Sequence, residues 1–194
     1  MSGKEKKTVK TVIDGREYEF TEGTTILEAA ESVGIEIPHY CYHPGLSIAG
    51  ACRMCLVEIE KIPKLQISCY MTVADGMVVH TNNERVKRAR KAMLEFHLVN
   101  HPLDCPVCDQ AGECGLQIYY MMHGNYISRL RENKVKKTKK AFQIGPHVML
   151  DQERCILCSR CVRFCQEISA SNELGIFQRG DREVIDVFPG MQLD

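Results

Sequence analysis

His101, Cys105, Cys108 and Cys114 fall within fourteen residues, in the spacing His-x3-Cys-x2-Cys-x5-Cys. Thiolate and neutral imidazole are the ligands that hold iron–sulfur clusters or zinc. Pro102, Pro106 and Gly112 bend the backbone between them, so ligands close in sequence can converge. One imidazole in place of a thiolate makes a cubane site one unit less negative, and the same exchange raises the potential of Rieske centres. The bare spacing also admits a Cys3His zinc site.

Two further cysteine groups flank this one. Cys41, Cys52, Cys55 and Cys69 are separated by ten, two and thirteen residues. Zinc is usually held by two close pairs; a single pair with one isolated ligand on each side better fits a [2Fe–2S] or [4Fe–4S] cluster. Gly45, Ser47, Ala49, Gly50 and Ala51 let the backbone wrap closely and aim N–H groups at sulfur, which stabilises a reduced, more negative cluster. The third group, Cys155-x2-Cys158-x2-Cys161-x3-Cys165, has the bacterial ferredoxin spacing of a [4Fe–4S] site. In ferredoxins the fourth cysteine serves a second cube, whose own cysteine run is absent here, and Gln166 stands where that pattern has Pro. Cys165 is thus left over, and the third site is one ligand short unless Cys165 substitutes or the ligand comes from elsewhere.

The 194 residues suffice for one large or two to three small domains. Lys+Arg and Asp+Glu both number 25, so no net field draws the chain to nucleic acid or lipid. No apolar run approaches the roughly 20 residues that span a bilayer. Met1 to Lys7 is polar and Lys-rich and is predicted not to be a signal peptide. Eleven cysteines, an odd number, in Cys-x2-Cys pairs without an export signal point to metal rather than disulfides. No Gly-x-Gly-x-x-Gly and no P-loop is visible, so no nucleotide site is expected.

The elements that must position these ligands are legible in part. Val9, Thr11 and Ile13 alternate with polar neighbours, as do Tyr18 and Phe20, and Asp14-Gly15 between them is a hairpin signal. Thr25-Ile26-Leu27-Glu28 fits a capping box, followed by Ile26, Leu27, Ala29, Ala30 and Val33 at helical spacing and Gly34 as the stop. Later strands are predicted at Leu56 to Ile59, Gln66 to Tyr70 (carrying Cys69) and Met77 to His80, which together suggest a β-grasp arrangement. Asn82 or Asn83 is predicted to cap a helix running to about Leu98, with Val86, Ala89, Met93 and Phe96 as its buried stripe and Lys87, Arg88, Arg90 and Lys91 as its solvated face. A short helix over Gly115 to Met122, with a Leu116, Ile118, Tyr119 and Met122 face, ends at Gly124. Residues 129–140 are strongly basic without interleaved aromatics, which predicts a solvated connector or a docking patch and no nucleic-acid binding. A short β run is expected at Val184 to Val187. The fold class is α+β in three segments. A ferredoxin-type β-grasp domain with the first cysteine set is expected over 8–82, a helical domain with the His/Cys3 set over 83–128, and a basic connector with a ferredoxin-like segment over 129–194.

The wording around the ligands, Ile37-Pro38-His39-Tyr40-Cys41, Ala51-Cys52-Arg53-Met54-Cys55, His101-Pro102-Leu103-Asp104-Cys105 and Cys155-Ile156-Leu157-Cys158-Ser159-Arg160-Cys161-Val162-Arg163-Phe164, resembles the N-terminal iron–sulfur region of the G or 75 kDa subunit of NADH:quinone oxidoreductase (respiratory complex I). The likeness covers roughly residues 8 to 190. It implies one [2Fe–2S] cluster on Cys41, Cys52, Cys55 and Cys69, one [4Fe–4S] cluster on His101, Cys105, Cys108 and Cys114, and a second [4Fe–4S] cluster on Cys155, Cys158 and Cys161. That family's fourth ligand to the last cluster lies beyond this chain, as does its large molybdopterin-oxidoreductase-like domain. The resemblance further implies electron flow from a flavin-bearing, NADH-oxidising subunit towards quinone. It places the chain among the peripheral-arm subunits on the cytoplasmic side of the inner membrane, touching the membrane only through the complex of a translocase. Diaphorase subunits of NAD-linked hydrogenases or formate dehydrogenases share the cluster layout and are the alternative. A zinc-stabilised docking scaffold without redox activity is the alternative from another class.

Overall fold

A computed structural model describes residues 7–193. The stretch predicted not to be a signal peptide lies, apart from Lys7, outside the described residues. The fold is α+β. Two compact units form: the chain up to Tyr40 together with Cys52–Met93, and Cys41–Ala51 together with the chain from Leu94 onward.

The first unit is built on a five-stranded sheet. Strands β1 (Thr8–Ile13) and β2 (Arg16–Thr21) form the expected hairpin, with Ile13 opposite Arg16. Its two-residue turn needs positive φ at both positions, which Asp14 (47°) and Gly15 (83°) supply. The Asp14 carboxylate also accepts from the Thr81 amide at 2.7 Å. Helix α1 (Ile26–Ser32) carries the capping box: the Thr25 side chain accepts from the Glu28 amide, and the Glu28 carboxylate from the Thr25 amide. Strands β3 (Leu56–Ile59), β4 (Gln66–Ile67) and β5 (Met77–His80) complete the sheet in the order β2-β1-β5-β3-β4, with β1 and β5 parallel at its centre. That is the β-grasp order.

The strand expected to reach Tyr70 stops at Ile67. The Ile67 carbonyl accepts from the Tyr70 and Met71 amides, and the Ser68 carbonyl from the Leu27 amide of α1. Cys69 therefore sits in a turn rather than on a strand.

Helix α2 (Glu84–Leu98) starts as expected, with the Asn83 side chain accepting from the Val86 amide at 3.0 Å. Its buried row is different. Val86, Arg90 and Leu94 are buried at i, i+4 and i+8, while Phe96 is 71% exposed. Arg90, read as part of a solvated face, is 2% exposed and donates to the Thr81 carbonyl at 2.6 Å and the Leu56 carbonyl at 3.5 Å. Burial pushes this guanidinium below its ordinary pKa, against the opposing pull of Cys55 and Asp14. Arg90→Ala is expected to cost about 3 kcal/mol, from an unpartnered buried carbonyl and the space left behind. Urea denaturation of the cluster-loaded protein checks this, and a change below about 0.5 kcal/mol, the size of an ordinary surface substitution, would contradict it.

In the second unit, α3 (Gly115–His123) buries only Leu116; Ile118 and Met122, expected on its inner face, are exposed. Two hairpins follow, β6 (Ala141–Gln143) with β7 (Met149–Asp151), and β8 (Leu174–Phe177) with β9 (Val184–Val187), with α4 (Arg160–Glu167) between them. Ile144, Val162, Cys165, Leu174 and Ile185 make the core.

The basic stretch 129–140 is largely exposed, and most of its cations also have partners within their own unit. Lys134 donates to the carbonyls of Leu98 (2.7 Å) and Val99 (3.1 Å) at the C-terminus of α2, where a cation is favoured. Lys137 donates to the carbonyls of Asp181 and Glu183. Lys139 pairs with Asp186, Lys140 with Asp104 and Glu153, and Arg129 with Glu95. None of the described helices is long and apolar enough to cross a membrane.

Candidate iron–sulfur centres

The central set, all in the second unit, lies on the irregular backbone between α2 and α3. A single 3₁₀ turn, Cys105–Val107, starts it, and Cys114 immediately precedes α3. Between Cys108 and Cys114 the chain reverses at Gly112 (φ 88°), a left-handed conformation that favours glycine. His101, Cys105, Cys108 and Cys114 all line one cavity of about 30 Å³, together with Pro102, Asp104, Ala111, Gln117 and Arg154. The residues grouped by spacing are thus grouped in space.

His101 Nδ1 is buried with no hydrogen-bond partner among the described residues. An orphaned buried nitrogen costs about 1–3 kcal/mol, and a bond to metal in this pocket would remove that cost. Burial, reinforced by the Lys134 ammonium, pushes the imidazole below its ordinary pKa, which favours the neutral form that a ligand must have. Arg154 brings a positive charge to the lining, with Nε 3.2 Å from an Asp151 oxygen. The Lys140 ammonium, hydrogen-bonded to Asp104, holds that carboxyl below the usual carboxylate range and so anchors the residue before Cys105.

In the first unit, Cys52, Cys55 and Cys69 are all buried. Cys52 and Cys55 bracket a tight loop in which Arg53 has a positive φ of 56°. The Tyr40 amide donates to Cys52 Sγ at 3.4 Å, an N–H···S bond of the kind that tunes a cluster. Cys41, the next residue, is also buried and belongs to the loop 41–51 of the second unit.

The third set occupies the loop that leads into α4. Leu157 (φ 54°) and Ser159 (φ 59°) are both left-handed, which coils the chain around Cys158. The Leu157 amide donates to Cys155 Sγ at 3.3 Å. Burial pushes the Cys155 and Cys161 thiols up from their ordinary pKa. Cys165 differs from them. It is 3% exposed, on α4, packed among Ile144, Val162, Leu174 and Ile185, and this apolar packing makes it a core side chain. Among the described residues no three His, Cys, Asp or Glu side chains close on one point as the ligands of a single ion do.

Sequence reasoning passed over Arg154, which lines the His101 pocket; its only signal was position, immediately before Cys155.

Comparison with known proteins matches three stretches of the chain. Residues 6–84 match the model of a 2Fe-2S iron-sulfur cluster binding domain. Residues 90–129 match the NADH-ubiquinone oxidoreductase-G iron-sulfur binding region, and residues 145–194 the ferredoxin-like domain of NADH-quinone oxidoreductase subunit 3. The NADH-quinone oxidoreductase G subunit of Rickettsia bellii is 48% identical over 186 residues, 96% of this chain and 27% of that protein. The NADH-ubiquinone oxidoreductase 75 kDa subunit of Reclinomonas americana is 52% identical over 177 residues, 91% of this chain and 25% of that protein. The chain spans about a quarter of the length of these curated relatives. Among solved structures, a chain of an NAD+-reducing [NiFe]-hydrogenase in the H2-reduced state superposes with a TM-score of 0.84 at 31% identity, covering 94% of this chain and 76% of that one.

A β-grasp unit followed by two further cysteine-rich regions defines an iron–sulfur protein, with a [2Fe–2S]-binding domain and two [4Fe–4S]-binding regions. Within that class, the chain belongs to the family of the NADH-quinone oxidoreductase G subunit, also called the 75 kDa subunit, and corresponds to its iron–sulfur region.

Proposed function

We propose that this chain conducts single electrons from a flavin-bearing, NADH-oxidising partner towards quinone, as part of the peripheral arm of a complex on the cytoplasmic side of the inner membrane. Its membrane contact would run only through the other subunits. The ligand sets are Cys41, Cys52, Cys55 and Cys69 for the [2Fe–2S] centre; His101, Cys105, Cys108 and Cys114 for the first [4Fe–4S] centre; and Cys155, Cys158 and Cys161 for the second. The segments 8–82, 83–128 and 129–194 each bring one set. The observation that carries this reading is the His101 pocket, where an orphaned buried imidazole and three cysteines face one cavity.

An iron–sulfur cluster, when bound, supplies reversible one-electron reduction without bonds to a substrate. The protein's part is to hold it and set its potential. Tyr40 and Leu157 amides donate to ligand sulfurs, and such bonds favour the reduced, more negative state. His101 gives its centre a neutral ligand where the others have thiolates. NADH would surrender two electrons as a hydride to the partner's flavin, and the ligand sets here would hold the clusters that take electrons up one at a time.

The test is reduction by NADH under anaerobic conditions. Visible absorbance of the cluster-loaded protein should bleach when both NADH and the flavin-bearing partner are present, and stay unchanged with NADH alone. Absorbance that NADH fails to bleach with the partner present would contradict the proposal. The likeness to the hydrogenase chain favours a second reading, a diaphorase link between NAD and a hydrogenase. The acceptor separates the two: quinone reduction in the first case, electron exchange with a hydrogenase module in the second.

A further inference from the structure

Arg163 lies on α4, and its side chain is almost wholly inside the second unit, 7% exposed. One guanidinium nitrogen, Nη2, donates to the carbonyl of Cys41 at 2.5 Å and to that of Cys158 at 3.4 Å. Nη1 donates to the Ser47 carbonyl, and Nε to Ser159 Oγ at 3.2 Å. All these acceptors are neutral. One turn further along α4, Glu167 accepts from the amide (2.7 Å) and the hydroxyl of Ser47; these bonds, with the nearby Arg163 charge, hold its carboxyl below the usual carboxylate range.

The acceptors include the backbones of two cysteines from different ligand sets, Cys41 of the first and Cys158 of the third. Reducing a cluster adds one negative charge, which a fixed cation in a low-dielectric interior favours. The planar fork of arginine serves several acceptors at once, as a single ammonium cannot.

We propose that Arg163 is a positioning residue that locks the Cys41 loop to the third cysteine set and supplies one positive charge shared by both centres, raising both potentials together. This rests on the reading of Cys41 and Cys158 as cluster ligands. The His101 centre, whose lining does not include Arg163, stands outside the effect.

The test is a redox titration followed by low-temperature EPR on the full-length protein in its assembled complex, as wild type, Arg163→Gln and Arg163→Lys. In Arg163→Gln the midpoints of the first and third centres should fall together while that of the His101 centre stays put. Arg163→Lys keeps the charge but not the fork, so both midpoints should fall by less. Wild-type midpoints at either centre in a variant that assembles would overturn the proposal and leave Arg163 a plain clasp. Arg163→Lys, the milder change, decides on the same criterion where Arg163→Gln does not assemble. A wild-type protein with no cluster signals would instead fail the underlying ligand assignment, before any variant is read.

Discussion

Cys52→Ser is expected to abolish the [2Fe–2S] centre while sparing the His101 centre. Cys52 is 5% exposed, with the Tyr40 amide on its sulfur, and shares no ligand with the His101 pocket. A serine oxygen is a harder donor, poorly suited to a site built for thiolates. On the proposed electron path, loss of one centre interrupts transfer, so electron flow from NADH should fall to background although the second centre still titrates. EPR of the reduced variant and its iron content, lower by about two atoms per chain for a lost [2Fe–2S] unit, check this. Disappearance of both centres together would show that the two sites fold as one.

His101→Cys is the second large effect. A thiolate there adds one negative charge to the site while keeping four ligands. Two such exchanges separate Rieske from plant-type centres by a few hundred mV, so one should lower the midpoint on the order of 100 mV. The cube should survive, because Cys105, Cys108 and Cys114 and the cavity they line stay in place. An unchanged midpoint by redox-poised EPR would show that His101 is not a ligand.

Features set by near neighbours were legible in the sequence. Asp14-Gly15 announced a turn that the backbone forms with two positive φ values, and Thr25 and Glu28 announced a capping box with both its bonds. The His101 set was legible because its whole ligand spacing lies in one short segment, and the cavity joins those same four residues. What escaped depends on acceptors far along the chain. Arg90 looked like one more cation in a basic run, and the carbonyls of Leu56 and Thr81, with Cys55 and Asp14 nearby, make its burial tolerable. Lys134 and Lys137 bond to backbone carbonyls, which no residue identity reveals. Cys69 was drawn onto a strand because its neighbours have β propensity, whereas the Leu27 amide of α1 bonds to Ser68 and the chain turns there. Cys165 matched the ferredoxin spacing, but its place in an apolar core comes from β8 and β9, which follow it.

The most direct test of the central claim is low-temperature EPR on the anaerobically purified, dithionite-reduced protein, with iron and zinc quantified on the same sample. One [2Fe–2S] signal and at least one [4Fe–4S] signal, with matching iron and negligible zinc, are predicted, and the iron count shows whether the third centre fills. An EPR-silent sample holding stoichiometric zinc and no iron would contradict electron conduction and leave a structural scaffold.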